Sequence, residues 1–337
     1  MKDVSTPSVD VEAQAGSTRN NSLKSVSELF GSWRTAGILL PFAALFIALS
    51  VTSEPFLHTT NLLNILDQQS SLLIIAAAGT LVLVAGGIDL SVGATYALSS
   101  VVAADAVLKH STLFAVGAGL VVGLLVGLVN GVIITILKIN SLIATLAMSF
   151  VIAGIGTKVT SGNLIVLMNR PGFGKIAQSE FLGTPSSVWL MLVVVVLLGI
   201  LLSRTTLGRY IFASGGNAEA ARLAGVRVNQ VRVITFMLSG GAAGLAGIID
   251  ASRVLSTQAG QGSALAFTVL AGIVVGGTSI AGGDGAVGRT VVGVLFIALI
   301  GNGFDLLGLD PLYQQIVLGL ILLAAVALDA WARTQRR

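Results

Sequence analysis

Apolar residues run through the chain in long uninterrupted stretches rather than in alternation with polar residues. Ten such stretches follow a polar N-terminal segment, at roughly 36–52, 70–86, 91–108, 112–137, 141–159, 187–203, 231–251, 263–281, 287–304 and 312–331. A membrane-spanning helix needs about 20 mostly apolar residues, whereas the strands of a membrane barrel alternate apolar and polar positions. The pattern therefore predicts an all-α, polytopic transmembrane helical bundle of about ten spans.

The polar flanks of this bundle set its limits. Residues 1–34 are rich in Ser, Asn and Thr and carry charges of both signs, which is typical of a disordered cytoplasmic tail. A transmembrane domain over 35–332 and a short C-terminal cytoplasmic tail over 333–337 complete the predicted organisation. The first apolar run begins near Ala36 without a small-residue cleavage site, so we expect no secretory signal. Residues 54–69 mix apolar and polar positions, and we expect an amphipathic interfacial helix there.

Composition supports the membrane class. Hydrophobic residues make up 54% of the chain and charged residues only 10%, whereas a soluble domain carries about 25% charged residues. The 41 glycines fit transmembrane helices that approach closely. The chain has no cysteine, which excludes disulfides, thiolate metal sites and thiol catalysis.

Positive charge predicts the orientation. With a cytoplasmic N-terminus and ten spans, the outer Lys and Arg residues are Lys109, Lys158, Arg170, Lys175 and Arg253, and the other 14 of 19 lie inside. Positively charged residues concentrate in cytoplasmic loops. Both termini are therefore predicted to be cytoplasmic, with the connection 160–186 outside and the basic connection 204–230 inside.

Sequence motifs for catalysis are missing. The chain contains no GxxxxGK[ST], HExxH or GxSxG motif. His58 and His110 lie near predicted outer ends of spans, without neighbours suited to metal ligation. We therefore expect no catalytic residue, no metal site and no cofactor, and any ATP hydrolysis would belong to a partner.

A glycine-rich stretch with an acid, Ala85–Gly93, separates two apolar runs. A charged side chain is costly at the bilayer centre and so faces protein, water or the interface. One interpretation is a broken helix that lines a path or braces a gate. The other is a cytoplasmic turn in which Asp89 caps the next helix, and we favour that for the immediate contacts of Asp89. Residues 82–88 also loosely echo 273–278, which is weak evidence for a repeat.

The cytoplasmic stretch 208–226 predicts a short helix. Asn217 can cap a helix that runs to Leu223, and Gly225 can end it. A short amphipathic helix between two spans suits docking into a groove of a partner. A solvated basic loop that only sets topology is the equally weighted alternative.

A third glycine-rich stretch, Gly276–Gly285, ends a predicted span on the cytoplasmic side. A tight turn between helices accounts for most of its glycines. Polar residues near or inside the spans could line a path, although polar groups between helices are more often interhelical contacts. The candidate path or gate residues are Gly86, Gly87, Asp89, Ser91, Gly276, Gly277, Thr278 and Asn302.

Together these motifs resemble one family. AGGIDLSVGA at 85–94, LGRYIFASGGNAEAARLAGVRV at 207–228 and GGTSIAGGDGAVG at 276–288 are similar to the permease subunits of bacterial ribose-type ABC sugar importers, within the branched-chain/ribose permease superfamily. NLLNIL at 61–66 and NGFDLLGLDPLYQQIV at 302–317 add to the resemblance, which extends over about 36–331.

The resemblance implies an inner (plasma) membrane protein with partners. Two permease copies, identical or related, would form the pathway, a cytoplasmic ATP-binding subunit would dock below, and a periplasmic sugar-binding protein would deliver the sugar. Nucleic acid is not an expected partner. Segment 215–225 would be the coupling helix, and the residues carried over are Gly215, Gly216, Asn217, Glu219, Ala221, Arg222, Leu223 and Gly225. Where many relatives have Glu-Leu-Asp before the third glycine stretch, this chain has Ala266-Phe267-Thr268.

Three alternatives compete with this interpretation. An ion-coupled secondary transporter would place ionisable groups near the bilayer midplane, whereas Asp89 and Asp284 lie at predicted membrane edges. An intramembrane enzyme is disfavoured by the missing motifs. A branched-chain amino-acid permease is the nearest rival within the ABC class.

Overall fold

The computed structural model of the chain describes residues 32–262 and 264–334. Within these ranges the α-helices are α1 (Ser32–Thr52), α2 (Thr59–Val84), α3 (Val92–Lys109), α4 (Thr112–Leu137), α5 (Ser141–Thr160), α6 (Pro171–Gln178), α7 (Ser186–Arg204), α8 (Thr206–Gly216), α9 (Ala218–Leu223), α10 (Val228–Val254), α11 (Leu265–Val275), α12 (Val287–Leu306) and α13 (Pro311–Thr334). Two-residue strands β1 (Ile165–Val166) and β4 (Ser256–Thr257) pair antiparallel, as do β2 (Glu180–Phe181) and β3 (Thr184–Pro185).

The helices confirm the all-α polytopic class. Seven of them, α2, α3, α4, α5, α7, α10 and α12, are long and apolar enough to cross a membrane. Three shorter apolar helical segments, Gly37–Thr52 in α1, the whole of α11 and Pro311–Ala327 in α13, account for the other predicted stretches. Each of the ten predicted apolar runs thus contains a helix.

Two predicted boundaries are wrong. Residues 54–69 do not form a separate interfacial helix: a 3-10 turn at Glu54–Leu57 is followed by α2, which continues into the apolar run without a break. No Pro or Gly interrupts 59–78, so the backbone hydrogen bonds continue, and Phe56 is fully buried. Of the described residues in the run 263–281, only those of α11 are helical, because Gly276 and Gly277 end the helix.

The predicted tails fall largely outside the described residues. Of the N-terminal tail 1–34, only residues 32–34 are described, and they form the first turn of α1. Of the C-terminal tail 333–337, residues 333–334 belong to the end of α13. The rest of both segments stays a prediction.

The core forms where α10 packs against α2, α3 and α4. A methyl group on Gly123 would overlap the carbonyl oxygen of Gly240, and one on Gly127 would overlap that of Phe236. Small residues at such spacing let two helix backbones approach in a membrane, where van der Waals packing and not the hydrophobic effect drives association. The α4 glycines of this contact face recur every four residues, at Gly119, Gly123, Gly127 and Gly131.

A charged cluster joins four of the helices at the other end of α10. Arg253 forms a salt bridge with Asp250, and the Tyr96 hydroxyl donates a hydrogen bond to the same carboxylate. Arg253 Nη1 donates to the Asp67 carbonyl at 2.5 Å, and Ser187 donates to the Asp67 carboxylate. Charges inside a transmembrane bundle are tolerated when they pair with one another, and this cluster ties α2, α3, α7 and α10 together.

The long connection 160–186 packs onto the same end of α10. Strand β1 pairs with β4, and the Ser252 hydroxyl donates to the Phe173 carbonyl in α6 at 2.7 Å. Phe173 and Leu167 are fully buried. A connection predicted only as polar is thus anchored to the bundle by two buried apolar side chains.

Candidate gate and coupling site

The stretch 85–91 is a break between α2 and α3. The Gly87 N–H reaches the Val82 carbonyl at 2.9 Å, the Gly86 N–H reaches the Leu83 carbonyl at 3.0 Å, and Gly86 has φ +80°. This is the Schellman ending, which needs a residue in the left-handed region and so favours glycine. We call residues 85–91 the first turn.

Side chains from α5 satisfy the exposed backbone of the first turn. The Ser141 hydroxyl accepts from the Ile88 N–H at 3.0 Å, and the Thr145 hydroxyl accepts from the Leu90 N–H at 3.0 Å. Thr145 also lies within donating distance of the Ile88 carbonyl, at 3.2 Å. Unpaired backbone groups are expensive where water is excluded, so α5 stabilises the broken segment.

Asp89 connects the first turn to the core helices. Its Oδ1 accepts from the Ser91 N–H at 3.0 Å and the Ser91 hydroxyl at 2.6 Å, and its Oδ2 accepts from Ser239 in α10 at 2.8 Å. Asn130 in α4 donates to the Ser91 hydroxyl at 2.7 Å. The favoured capping interpretation accounts only for the bonds from Ser91, the residue just before α3. The carboxylate also accepts a hydrogen bond from α10.

A second turn, residues 276–286, separates α11 from α12 and begins in the same way. The Thr278 N–H reaches the Ile273 carbonyl at 3.2 Å, the Gly277 N–H reaches the Val274 carbonyl at 2.8 Å, and Gly277 has φ +83°. The sequence echo between 82–88 and 273–278 therefore reflects two helix endings of the same kind. Further along the turn, Asp284 pairs with Arg289 at 2.7 Å.

The predicted short helix is confirmed as α9. Asn217 Oδ1 accepts from the N–H groups of Glu219 at 3.1 Å and Ala220 at 2.9 Å. Gly225, with φ +85°, follows the helix end. Arg222 pairs with Glu219 on the exposed side at 2.6 Å, and Leu223 is 83% exposed.

The coupling candidates divide into two groups by burial. Ala221 is buried, and Gly215 packs against the backbone of Val84 and Gly283. The exposed members are Gly216, Asn217, Glu219, Arg222, Leu223 and Gly225.

The structure brings the three glycine stretches together. The Gly283 N–H in the second turn donates to the Val84 carbonyl at the end of α2, at 2.9 Å. Gly215 packs against both groups, and a methyl group on Gly282 would lie 2.9 Å from the Gly86 Cα. No single motif predicts this meeting, because the segments are far apart in the sequence.

The gate candidates do not all share this place. Thr278 is buried in the second turn, and Gly276 packs against the first turn of α12. Asn302 lies elsewhere: its amide exchanges hydrogen bonds with the Asn61 amide at 2.9 and 3.2 Å, which joins α12 to α2. Asn302 therefore makes an interhelical hydrogen bond, the more common role of polar groups between spans.

A family comparison covers the whole of this site. The profile described as branched-chain amino acid transport system / permease component matches residues 61–326. The chain belongs to this permease family.

The permease is also similar to curated sugar permeases over most of its length. It is 39% identical over 295 residues to the ribose import permease protein RbsC of Escherichia coli K12, covering 86% of this chain and 92% of that protein. It is 40% identical over 294 residues to RbsC of Bacillus subtilis 168, covering 86% and 91%. The L-arabinose transport system permease protein AraH of E. coli K12 is 36% identical over 306 residues, covering 90% and 93%. No solved structure matches the chain significantly.

A groove of about 250 Å³ lies beside the first turn of the permease. Phe150 of α5 and Phe267 of α11 line it, together with the polar Ser149. Phe267 is 55% exposed, whereas its neighbour Ala266 is buried. Phe267 thus places an aromatic ring on an open face beside the break.

Sequence reasoning missed several residues of the site. Ser141 and Thr145 carry no motif, and their role follows only from the unpaired backbone of a segment far along the chain. Gly282 and Gly283 were part of a glycine stretch, but only their left-handed φ values of +86° and +73° mark them as constrained. Ser239 and Asn130 stand in apolar helices, and their contacts with Asp89 and Ser91 follow only from the fold.

Proposed function

We propose that the permease is the non-catalytic, membrane-spanning subunit of an ATP-binding-cassette importer that carries a ribose-like monosaccharide across the bacterial inner membrane. The similarity to ribose and arabinose permeases over more than four fifths of the chain carries this proposal. The capped, exposed helix α9 supports it, since a passive pathway needs a surface on which a motor can act.

The proposed topology has ten spans with both termini in the cytoplasm. The distribution of positive charge supports this orientation. Helix α11, with 11 residues, is about 16 Å long at 1.5 Å per residue, about half of the ~30 Å hydrocarbon core. In this topology α11 is the helical half of the eighth crossing, which runs from the outer side to the second turn.

The proposed assembly contains a second permease copy, a cytoplasmic ATP-binding subunit and a periplasmic sugar-binding protein. The groove beside the first turn is an open protein surface at the level of the break. In the assembly, the two turns are the gate and this open face borders the sugar path.

Docking of the ATP-binding subunit on α9 can be tested without disturbing the permease fold. A methyl group on Gly216 would meet nothing within 4 Å, and Arg222 is exposed. We expect Gly216→Leu and Arg222→Ala to abolish uptake and to weaken co-purification of the ATP-binding subunit, while the binding protein still binds sugar. The matched control is Lys109→Ala, an exposed charged residue paired with Asp105, which should leave both unchanged. Normal uptake and association in both the Gly216 and the Arg222 variants would contradict the docking role.

The branched-chain amino-acid alternative rests on the description of the matching family, while the relatives reported above are named as ribose and L-arabinose permeases. Competition distinguishes the two. Excess ribose or arabinose should block labelled uptake, and leucine should not. Inhibition by leucine alone would replace the sugar by an amino acid without changing the ABC class.

A further inference from the structure

At the meeting of the three glycine stretches, Gly215, Gly282 and Gly283 contact backbone atoms. We call this meeting the glycine junction, and it consists of Val84–Gly86 at the end of α2, Gly215–Gly216 at the end of α8 and Gly282–Gly283 in the second turn. A methyl group on Gly215 would overlap the Val84 carbonyl oxygen and lie 2.7 Å from the Gly283 nitrogen. It would therefore sit between the donor and the acceptor of the hydrogen bond that joins the two turns.

The second turn is equally constrained. Gly282 and Gly283 have φ values of +86° and +73°, which strain any other residue. A methyl group on Gly283 would also lie 2.7 Å from the Gly216 Cα. Conformation and space thus both require glycine, and the atoms that Gly282 and Gly283 meet in α8 are backbone atoms of Gly215 and Gly216.

The junction is joined to α9 without a flexible linker. Asn217 is the only residue between α8 and α9: its N–H reaches the Ala213 carbonyl at 3.1 Å, while its side chain caps α9. On the opposite side, Gly86 belongs to the first turn, which continues to Asp89. The Asp284–Arg289 pair leads from the second turn into α12.

We infer that the glycine junction transmits displacement of α9 to both turns at once. Close-packed interiors have low compressibility and transmit strain, and a backbone contact has no rotamer with which to absorb it. A shift of α9 therefore moves the end of α2 and the start of α12 together. This inference rests on the proposed function, because it takes α9 as the surface on which the ATP-binding subunit acts.

The test compares alanine substitutions at two glycines, Gly215 and Gly288, in the assembled transporter. In Gly215→Ala, the ATP-binding subunit should still co-purify and hydrolyse ATP, because the exposed surface of α9 is unchanged. Uptake per assembled complex should fall by about tenfold or more, the change that corresponds to ~1.4 kcal/mol of lost coupling. Gly288→Ala is the matched control, since its methyl group meets nothing within 4 Å, and it should retain uptake. Wild-type uptake in an assembled Gly215→Ala complex would overturn the inference.

A second measurement does not depend on the folding of that variant. The chain has no native cysteine, and Ala281 is exposed in the second turn, so Ala281→Cys gives a single labelling site. In the complex with an otherwise intact junction, its maleimide labelling rate should change several-fold between nucleotide-free and ATP-bound states. A cysteine at exposed Lys138, at the end of α4, should not respond. A rate at Ala281→Cys that is independent of nucleotide would overturn the inference, whereas failure of the unsubstituted permease to bind any ATP-binding subunit would overturn the proposed function instead.

Discussion

The carboxylate of Asp89 is held by three donors: the Ser91 N–H, the Ser91 hydroxyl and the Ser239 hydroxyl. A buried charge is tolerated only when such partners replace water. The same bonds fix the first turn to α10. Asp89 is therefore expected to stabilise the turn more than a surface carboxylate would.

Substitution of Asp89 should show this directly. In Asp89→Ala the serine donors lose their acceptor, and the free energy of unfolding should fall by about 1.5–3 kcal/mol, as for hydrogen bonds to charged groups. Asp89→Asn keeps one acceptor oxygen and should lose less. Thermal or denaturant unfolding of the purified permease measures the order wild type, Asn, Ala.

Asp105 is the control for this series. It forms an exposed i,i+4 pair with Lys109, and such pairs contribute about 0.3–0.5 kcal/mol. Asp105→Ala should therefore change stability little. If Asp89→Ala were as stable as Asp105→Ala, Asp89 would not hold the turn.

Between elements, the decisive contact is that of α4 with α10. Gly127 faces the Phe236 carbonyl, whereas Gly117, on the same helix, has nothing within 4 Å of its added methyl group. The two positions share a helix, and only Gly127 has a backbone packed against it. They allow packing and helix propensity to be separated.

Alanine at these two glycines should act in opposite directions. Gly127→Ala should lower the free energy of unfolding by about 1–3 kcal/mol through overpacking. Gly117→Ala should raise it by about 0.5–1 kcal/mol, because alanine restricts the unfolded chain and favours the helix. Unfolding of the two variants in the same detergent decides, and a destabilised Gly117→Ala would show that propensity arguments fail here.

Local signals in the sequence predicted some elements well and others poorly. Helix α9 followed from Asn217 and Gly225, because capping is a local interaction. The interfacial helix at 54–69 was wrong because burial of Phe56 by α1 and α12 is a tertiary contact. The end of α11 at Gly276 is explained only by the left-handed φ of Gly277, which the sequence does not show.

At the scale of the whole molecule, hydropathy alone was sufficient for the class and for the number of apolar helices. The site was predictable as three separate stretches and not as one place. Glycine-rich stretches indicate close packing, but they do not indicate which backbone segment packs against each glycine. The meeting of Gly215 with Val84 and Gly283 depends on the packing of the full bundle.

Reconstitution in proteoliposomes tests most directly whether the permease is a pathway without its own motor. We expect uptake of labelled ribose or a related monosaccharide only when the permease, its ATP-binding subunit, the sugar-binding protein and ATP are all present, and none with a non-hydrolysable ATP analogue. Uptake by the permease alone, driven by a proton or sodium gradient, would contradict the account.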